Sequence, residues 1–404
     1  MPLSLLTNTL AVLGSLASLL WIVQAALVYR HRAGTVLLAD LPDTPPETGW
    51  PRLTVIFAAR NEAADVEQAT RSLIAQDYPN LQILAVDDRS TDATGAILDR
   101  LAGESPVLRV VHIDHLPAGW LGKNHALQNA ADSTDTPWIL FTDADVVFSP
   151  DALRRAVRAA IDGGYDHVTV IPEVPTEGVG ERMFQSLFNL GFLLEAPSHK
   201  VEDPRRRASL GIGAFNLVRA EAFRAIGGLR RLSLSIDDDL RLGQAMKWAG
   251  YRSKVLVGLG TVSVRWHVGI RQLIRGVEKN FFAVLEFRLP LAALVVCVFF
   301  WIAATPHIGL FVGPWWTRAI CACGILALMV ILEWVGELTR LRWYYALLLP
   351  LSAVLIAFAL IRSTWVTLRR GGVTWRDHHY PISLLREHVR SRNRWLRELW
   401  LSTR

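Results

Sequence analysis

The hydrophobic pattern divides the chain into three regimes. Residues 3–29 form one uncharged apolar run, longer than the roughly 20 residues that cross a bilayer as a helix. Residues 50–275 alternate short β-prone runs with segments of helical periodicity. Beyond them lie three more apolar runs, near 289–313, 317–338 and 343–361. In the middle regime, Leu53–Ala59 is continuously β-prone, as expected of a strand buried on both faces. Residues 81–86, 107–113, 138–142 and 167–171 read as further strands. Helical spacing fills the gaps at 62–76, 92–102, 122–132 and 150–161, the first through Ala63, Val66, Ala69, Leu73 and Ile74. Ser90-Thr91-Asp92 supplies capping chemistry for the second of these. Alternating strands and helices predict an α/β fold, Rossmann-like, on a mostly parallel sheet. After about residue 175 the pattern changes to an apolar-rich helix at 181–195, a glycine-bearing stretch at 211–216 and a helix at 239–249.

The charges beside the apolar runs give an orientation. Arg30, His31 and Arg32 follow the first run at once, which places that end in the cytoplasm by the positive-inside rule. The run is too long for a signal peptide, and no basic residue precedes it. Four crossings would carry the arginine-rich tail to the other side, against the same rule. Either one C-terminal run is re-entrant or interfacial, with the first, bearing Pro306 and Pro314, the best placed, or the charge rule fails here. The formal net charge of +6 is concentrated in arginines beside the membrane runs. Attraction to anionic headgroups accounts for it better than nucleic acid binding does. Trp375, Trp395 and Trp400 fit an interfacial tail. Cys297, Cys321 and Cys323 all lie in apolar runs and read as small buried hydrophobes. The organisation expected is a membrane helix over 1–32, a proline-rich linker over 33–51, a catalytic domain over 52–285, about three membrane segments over 286–362, and a basic amphipathic tail over 363–404.

Acidic clusters stand where the strands end. An ionised carboxylate is poor core material, but it suits a crevice at the carboxyl edge of a parallel sheet, where ligands bind. Asp143 and Asp145 follow the apolar strand Ile139–Phe141 directly. Carboxylates one residue apart can share Mg²⁺ or Mn²⁺, hard cations that would neutralise a diphosphate. Asp87 and Asp88 can accept hydrogen bonds from a base or ribose. Asp238 and Asp239 open a helix, where they either cap it or hold a general base. Lys123 can offset phosphate charge, and Gln272 and Arg275 share a helix face that can reach a phosphate or an acceptor. Glu333 and Glu337 also share a face; pairing of Glu337 with Arg340 and Arg342 is expected. There is no Walker glycine loop and no GxGxxG after the first strand, which lowers the case for an NTPase or a dinucleotide oxidoreductase.

As an ordered set these clusters resemble the family 2 glycosyltransferases of GT-A fold. The resemblance covers about residues 50–285. Ala59-Arg60-Asn61-Glu62 is similar to the family's opening nucleotide-binding stretch, with Ala58 in place of the usual proline. Asp87-Asp88-Arg89-Ser90-Thr91-Asp92 resembles its first aspartate motif and Asp143-Ala144-Asp145 its metal-binding DxD. Asp238-Asp239 resembles the acidic pair carrying the catalytic base, which the spacing to Gly250 assigns to Asp239. Gln272-Leu273-Ile274-Arg275-Gly276 is similar to the QxxRW motif, with glycine for tryptophan. The segments 117–127, 276–282 and 370–376 resemble bacterial hopene-associated and carotenoid glycosyltransferases, to which ceramide glucosyltransferases are related. The resemblance implies an inverting, metal-dependent enzyme at a bacterial inner membrane, with a cytoplasmic catalytic domain. It would move a sugar from a UDP- or GDP-sugar to a lipid. Ala59, Arg60, Glu62, Asp87, Asp88, Lys123, Asp143, Gln272 and Arg275 would bind the donor, and Asp143 and Asp145 the metal. A polysaccharide synthase is the rival enzyme, set back by Gly276 and the small membrane region. A non-catalytic scaffold is the other rival, set back by acids at every motif position.

Overall fold

Buried apolar runs become strands in the computed structural model, which describes residues 3–195, 198–266, 269–376 and 378–403. After α1 (Leu3–His31) come β1 (Leu53–Ala59), α2 (Val66–Ile74), β2 (Leu81–Asp88), α3 (Thr94–Glu104), β3 (Leu108–Ile113), α4 (Gly122–Asp132), β4 (Trp138–Asp143), β5 (Val146–Phe148), α5 (Ala152–Gly163), β6 (His167–Glu173) and α6 (Val179–Glu195). The chain continues through α7 (Ser198–Glu202), β7 (Asn216–Arg219), α8 (Ala220–Ala225), α9 (Asp238–Trp248), β8 (Ser253–Val264) and α10 (Ile270–Val284). Next come α11 (Leu289–Gly309), α12 (Trp315–Thr339) and α13 (Leu349–Arg369), then a hairpin of β9 (Gly372–Trp375) and β10 (His378–Pro381), and α14 (Ile382–Ser402).

The strands form one sheet in the order β3-β2-β1-β4-β7-β6-β8-β5. Its first half is parallel; β7 runs antiparallel to β4 and β6, and β5 antiparallel to β8. Side chains alternate across it. Val55, Phe57 and Leu140 face one layer, and Ile56, Leu84, Ile139 and Phe141 the other. Register decides where the site forms. Ala59 pairs with Asp87 and Ala58 with Asp143, so three polar strand ends lie side by side.

Four helices among the described residues are long and apolar enough to cross a membrane: α1, α11, α12 and one over Trp343–Arg369 that includes α13. Small residues let them approach. A Cβ on Gly14 would meet the Thr305 carbonyl at 2.7 Å, and one on Gly324 would meet Ser18 at 2.4 Å, the close packing expected where no hydrophobic drive separates helix from lipid. The run bearing Pro306 is not broken. α11 is continuous over 21 residues, about 31 Å at 1.5 Å per residue. Proline removes the donor that would bond the carbonyl four residues back, here Ile302. The buried Trp21 indole N–H donates to that carbonyl at 2.7 Å, so the orphaned acceptor is satisfied from α1.

Three further expectations change. The proline-rich linker is docked: the Arg155 guanidinium donates to the Ala39 and Leu41 carbonyls and that of Arg158 to those of Thr44 and Pro45. Arg340 pairs with Glu173 of β6 at 2.8 Å, not with Glu337. The aromatics expected at the interface are in part drawn inward. α14 packs on the sheet domain, burying Leu396 and Trp400, with the Trp400 ring 5.9 Å from that of Trp248. Its apolar stripe has a protein partner.

Trp21→Phe leaves the Ile302 carbonyl unpaired and should cost about 1–3 kcal/mol. In a Pro306→Ala background, where the helix regains its own donor, the same change should cost clearly less. Thermal unfolding of the four detergent-solubilised proteins measures the cycle; equal costs in both backgrounds would contradict the pairing.

Candidate active site

Two tight turns build one rim of the site. Asn61, after β1, and Arg89, after β2, both adopt positive φ, 55° and 59°. Asn61 Oδ1 accepts from the Thr91 N–H at 2.8 Å, Ser90 Oγ accepts from the Asn61 N–H at 3.1 Å, and Thr94 Oγ1 from the Glu62 N–H at 2.8 Å. Each turn is thus locked by the other. Arg89 holds Asp88 through both carboxylate oxygens, at 2.8 and 3.0 Å, and reaches His378 Nε2 at 2.8 Å. Arg376 pairs with Glu62. The C-terminal hairpin is therefore fastened to both turns.

The acids converge opposite this rim. Lys123, in the first turn of α4, lies 2.6 Å from Asp143 Oδ1 and 3.8 Å from Asp238 Oδ2. Buried Asn124 beside it donates to the Leu232 and Ser235 carbonyls, which fixes the loop entering Asp237-Asp238-Asp239. Asp239 accepts from the Gly213 N–H at 2.7 Å and from the Leu240 N–H at 2.8 Å. A Cβ on Gly213 would stand 2.5 Å from Asp143 Oδ2 and 3.3 Å from Asp239 Oδ2. The two carboxylates therefore flank a position that only glycine leaves open.

Burial sets the electrostatics. It raises the Asp145 carboxyl to about 7, with Asp143 adding repulsion. It raises Asp238 to about 7 against the pull of Lys123, and raises Asp239 as well. Burial opposes the charge on Lys123, but Asp143, Asp238 and Asp239 outweigh it and hold that ammonium above the ordinary lysine value. Among the described residues no basic side chain pairs with Asp145, and no three His, Cys, Asp or Glu side chains form a ready-made metal cluster. Two carboxylates facing a cavity still fit Mg²⁺ or Mn²⁺, which are commonly held by one or two carboxylates together with substrate phosphates.

One cavity of about 1550 Å³ brings most of the expected residues together. Ala59, Arg60, Glu62, Asp88, Lys123, Asp143, Asp145, Asp238, Asp239, Gln272 and Arg275 all line it. Asp87 does not. Its carboxylate turns away to His112 Nδ1, at 3.0 Å, and accepts from the Ser90 N–H at 3.2 Å. The same cavity is walled by apolar side chains of the membrane-like helices, among them Val298, Phe299, Trp334, Leu338, Ile356 and Leu360.

Several of its residues carry no site role in the sequence reading. Lys279 of α10 and Trp375, His378 and Tyr380 of the hairpin line the cavity. Arg392 supports it from behind. It is 2% exposed, pairs with Asp237 at 3.3 Å and Glu286 at 3.4 Å, and is pushed down to about 10 by burial. Asp237 also pairs with Arg241 at 2.7 Å. A signal for Arg392 existed: Leu385, Val389, Arg392, Leu396 and Trp400 are spaced four, three, four and four. An arginine on the apolar stripe of a helix is a candidate for a buried partner.

Residues 54–227 match the model of the Glycosyl transferase family 2. The beta-monoglucosyldiacylglycerol synthase of Synechocystis sp. is 27% identical over 250 residues, 59% of this chain and 49% of that protein, so the chain spans about half of that relative's length. The 4,4'-diaponeurosporenoate glycosyltransferase of Staphylococcus aureus is 26% identical over 340 residues, 82% of this chain and 88% of that one. A mannosyltransferase of Pyrobaculum calidifontis, solved in complex with GDP-Man and Mn²⁺, superposes with a TM-score of 0.52 at 20% identity, over 88% of this chain and 99% of its own. That likeness establishes the GT-A fold.

Arg392→Met should remove about 3 kcal/mol of stability, the low end for breaking a buried ion pair because Arg241 still holds Asp237. Thermal unfolding and limited proteolysis of α14 check this. An unchanged midpoint with a protected tail would contradict the buried bridge.

Proposed function

We propose that this protein, whose residues 54–227 match the model of the Glycosyl transferase family 2, is an inverting glycosyltransferase moving a sugar from a UDP- or GDP-sugar to a membrane lipid. One observation carries the reading. The cavity that gathers the carboxylates is also walled by the membrane-like helices, so a hydroxyl at its polar end can belong to a molecule whose apolar part stays among those helices.

The residues divide the work. Ala59, Arg60, Glu62 and Asp88, at the ends of β1 and β2, receive the nucleoside. Asp87 acts at one remove, by fixing the turn through Ser90. Asp143 and Asp145 hold the divalent cation, Mg²⁺ or Mn²⁺, which supplies neutralising charge for the diphosphate leaving group. Asp239 takes the proton of the acceptor hydroxyl. Its two backbone donors fix the carboxylate in place, and the raised affinity for a proton that burial gives it suits a general base. The hydroxyl oxygen then attacks the anomeric carbon from the face opposite the leaving group, which inverts the configuration. Lys123 keeps Asp143 and Asp238 apart in charge as well as in space. Gly276, in place of a tryptophan, fits the addition of one sugar or very few.

The likeness to enzymes named for glycolipid and carotenoid acceptors supports the acceptor class, and Arg30 and Arg32 support a cytoplasmic sheet domain at a bacterial inner membrane. α6 supplies the acceptor wall. Phe188 lines the cavity and meets Phe192 edge-on, Trp266 at a tilt and Phe281 in a stack.

Asp239→Asn should bind donor with unchanged affinity, by titration calorimetry, while transfer falls by about 100-fold or more. Gly213→Ala should fold, since its methyl meets only side-chain carboxylates, Asp143 at 2.5 Å and Asp239 at 3.3 Å, yet lose about 100-fold in turnover through their displacement. Phe188→Glu should impair transfer to lipid and leave donor hydrolysis by water nearly intact. Full activity in Asp239→Asn, or a loss confined to donor affinity, would remove Asp239 from the role of base.

A further inference from the structure

Two lysines line the cavity, and their surroundings differ. Lys123 is engaged by Asp143 and Asp238. Lys279 is not. Its Nζ lies 4.1 Å from the centroid of the Trp375 ring, and among the described residues no carboxylate is within ion-pair distance of it. Glu278, its neighbour in sequence, is turned to Arg362 at 2.8 Å. A partly buried ammonium without a counter-ion is costly. A cation–π contact offsets only part of that. Burial together with the Lys123 charge pushes Lys279 down to about 8, against the pull of Asp143, Asp238 and Asp145.

The placement of Lys279 indicates which anion would balance it. It follows Gln272 and Arg275 along one face of α10 at helical spacing, and all three line the cavity that holds Asp143 and Asp145. Trp375 is next to Arg376, which is bonded to Glu62 in the turn after β1. The ammonium is thus bracketed between the rim assigned to the nucleoside and the carboxylates assigned to the metal. Between a nucleoside and its metal lies a diphosphate.

We propose that Lys279 binds the diphosphate of the nucleotide donor and stays with it as it becomes the leaving group, Trp375 holding the ammonium in place when no donor is bound. This rests on the glycosyltransferase reading above. It reassigns to Lys279 the phosphate contact that the sequence suggested for Lys123, whose charge is already engaged. The same chemistry would serve a carboxylate or phosphate on an acceptor, so the test separates the two sources.

The full-length protein in detergent with Mn²⁺ is titrated with UDP, GDP, UMP and GMP, with no acceptor present. For the nucleoside that the wild type prefers, Lys279→Met should weaken diphosphate binding by about 10- to 100-fold, the effect of losing a charge-assisted contact. Monophosphate affinity should stay within about twofold, and Lys279→Arg should keep most of the diphosphate affinity. Lys279→Gln serves as a second neutral variant should the methionine variant fold poorly. Equal loss for mono- and diphosphate would overturn the proposal. So would unchanged diphosphate affinity; a raised acceptor KM in a separate transfer assay would then move Lys279 to the acceptor. A wild type that bound neither UDP nor GDP would overturn the donor reading itself, and this proposal with it.

Discussion

Mutual repulsion among clustered carboxylates is the constraint around which this molecule is arranged. Asp143, Asp145, Asp237, Asp238 and Asp239 line one cavity, and burial raises the proton affinity of Asp145, Asp238 and Asp239. Such a cluster persists only if each charge is met from somewhere. Lys123 meets Asp143 and Asp238 from the front. Arg241 and Arg392 meet Asp237 from behind. Backbone N–H groups meet Asp239. Asp145 has no basic partner among the described residues, in keeping with the cation proposed for it. The local backbone follows from these needs. Gly122 opens α4 because a side chain there would strike Asp88, at 2.1 Å, and Gly211 and Gly243 let α9 approach the segment that carries Gly213.

The sheet domain and the membrane-like helices share α10. Its outer face carries Gln272, Arg275 and Lys279 to the cavity. Its far side is sewn to α13: Ser363 donates to the Glu278 carbonyl and accepts from the Phe282 N–H, and Arg362 pairs with Glu278. Arg340 adds a second tie, from the end of α12 to β6. The tail closes the third side, its hairpin fastened to Glu62 and Arg89. A reactant bridging water and bilayer meets walls that are fixed relative to one another, a condition for orienting two substrates.

The parts legible in sequence were those with strong local signals. β1, β2, β4 and β6 are dense apolar runs, and the acids at or just after the ends of the first three, Glu62, Asp88 and Asp143, come to line one cavity. β5 and β7, of three and four residues, carry too little pattern, and in β8 Gly258 and Gly260 interrupt the β-prone run. Asp87 shows the limit of motif reading. It belongs to the right turn, but pairing with His112, a residue of β3, decides which way it faces. Arg392 and Trp400 were counted with the tail's surface charge and interfacial aromatics, because composition averages over a helix whose faces differ. Partners distant in sequence, such as Trp21 with the carbonyl that Pro306 leaves open, have no local signature.

The central claim is that the acidic cluster and the wall of membrane-like helices serve one reaction. Its most direct test is to reconstitute the purified protein in liposomes of bacterial lipid with Mn²⁺, supply radiolabelled UDP- and GDP-sugars, and follow the label into chloroform-extractable material and into polymer. The account expects label in a lipid carrying one sugar or very few, of inverted anomeric configuration, and none with Asp145→Ala. Label only in a water-soluble polymer, or incorporation unaffected by loss of Asp145, would contradict it.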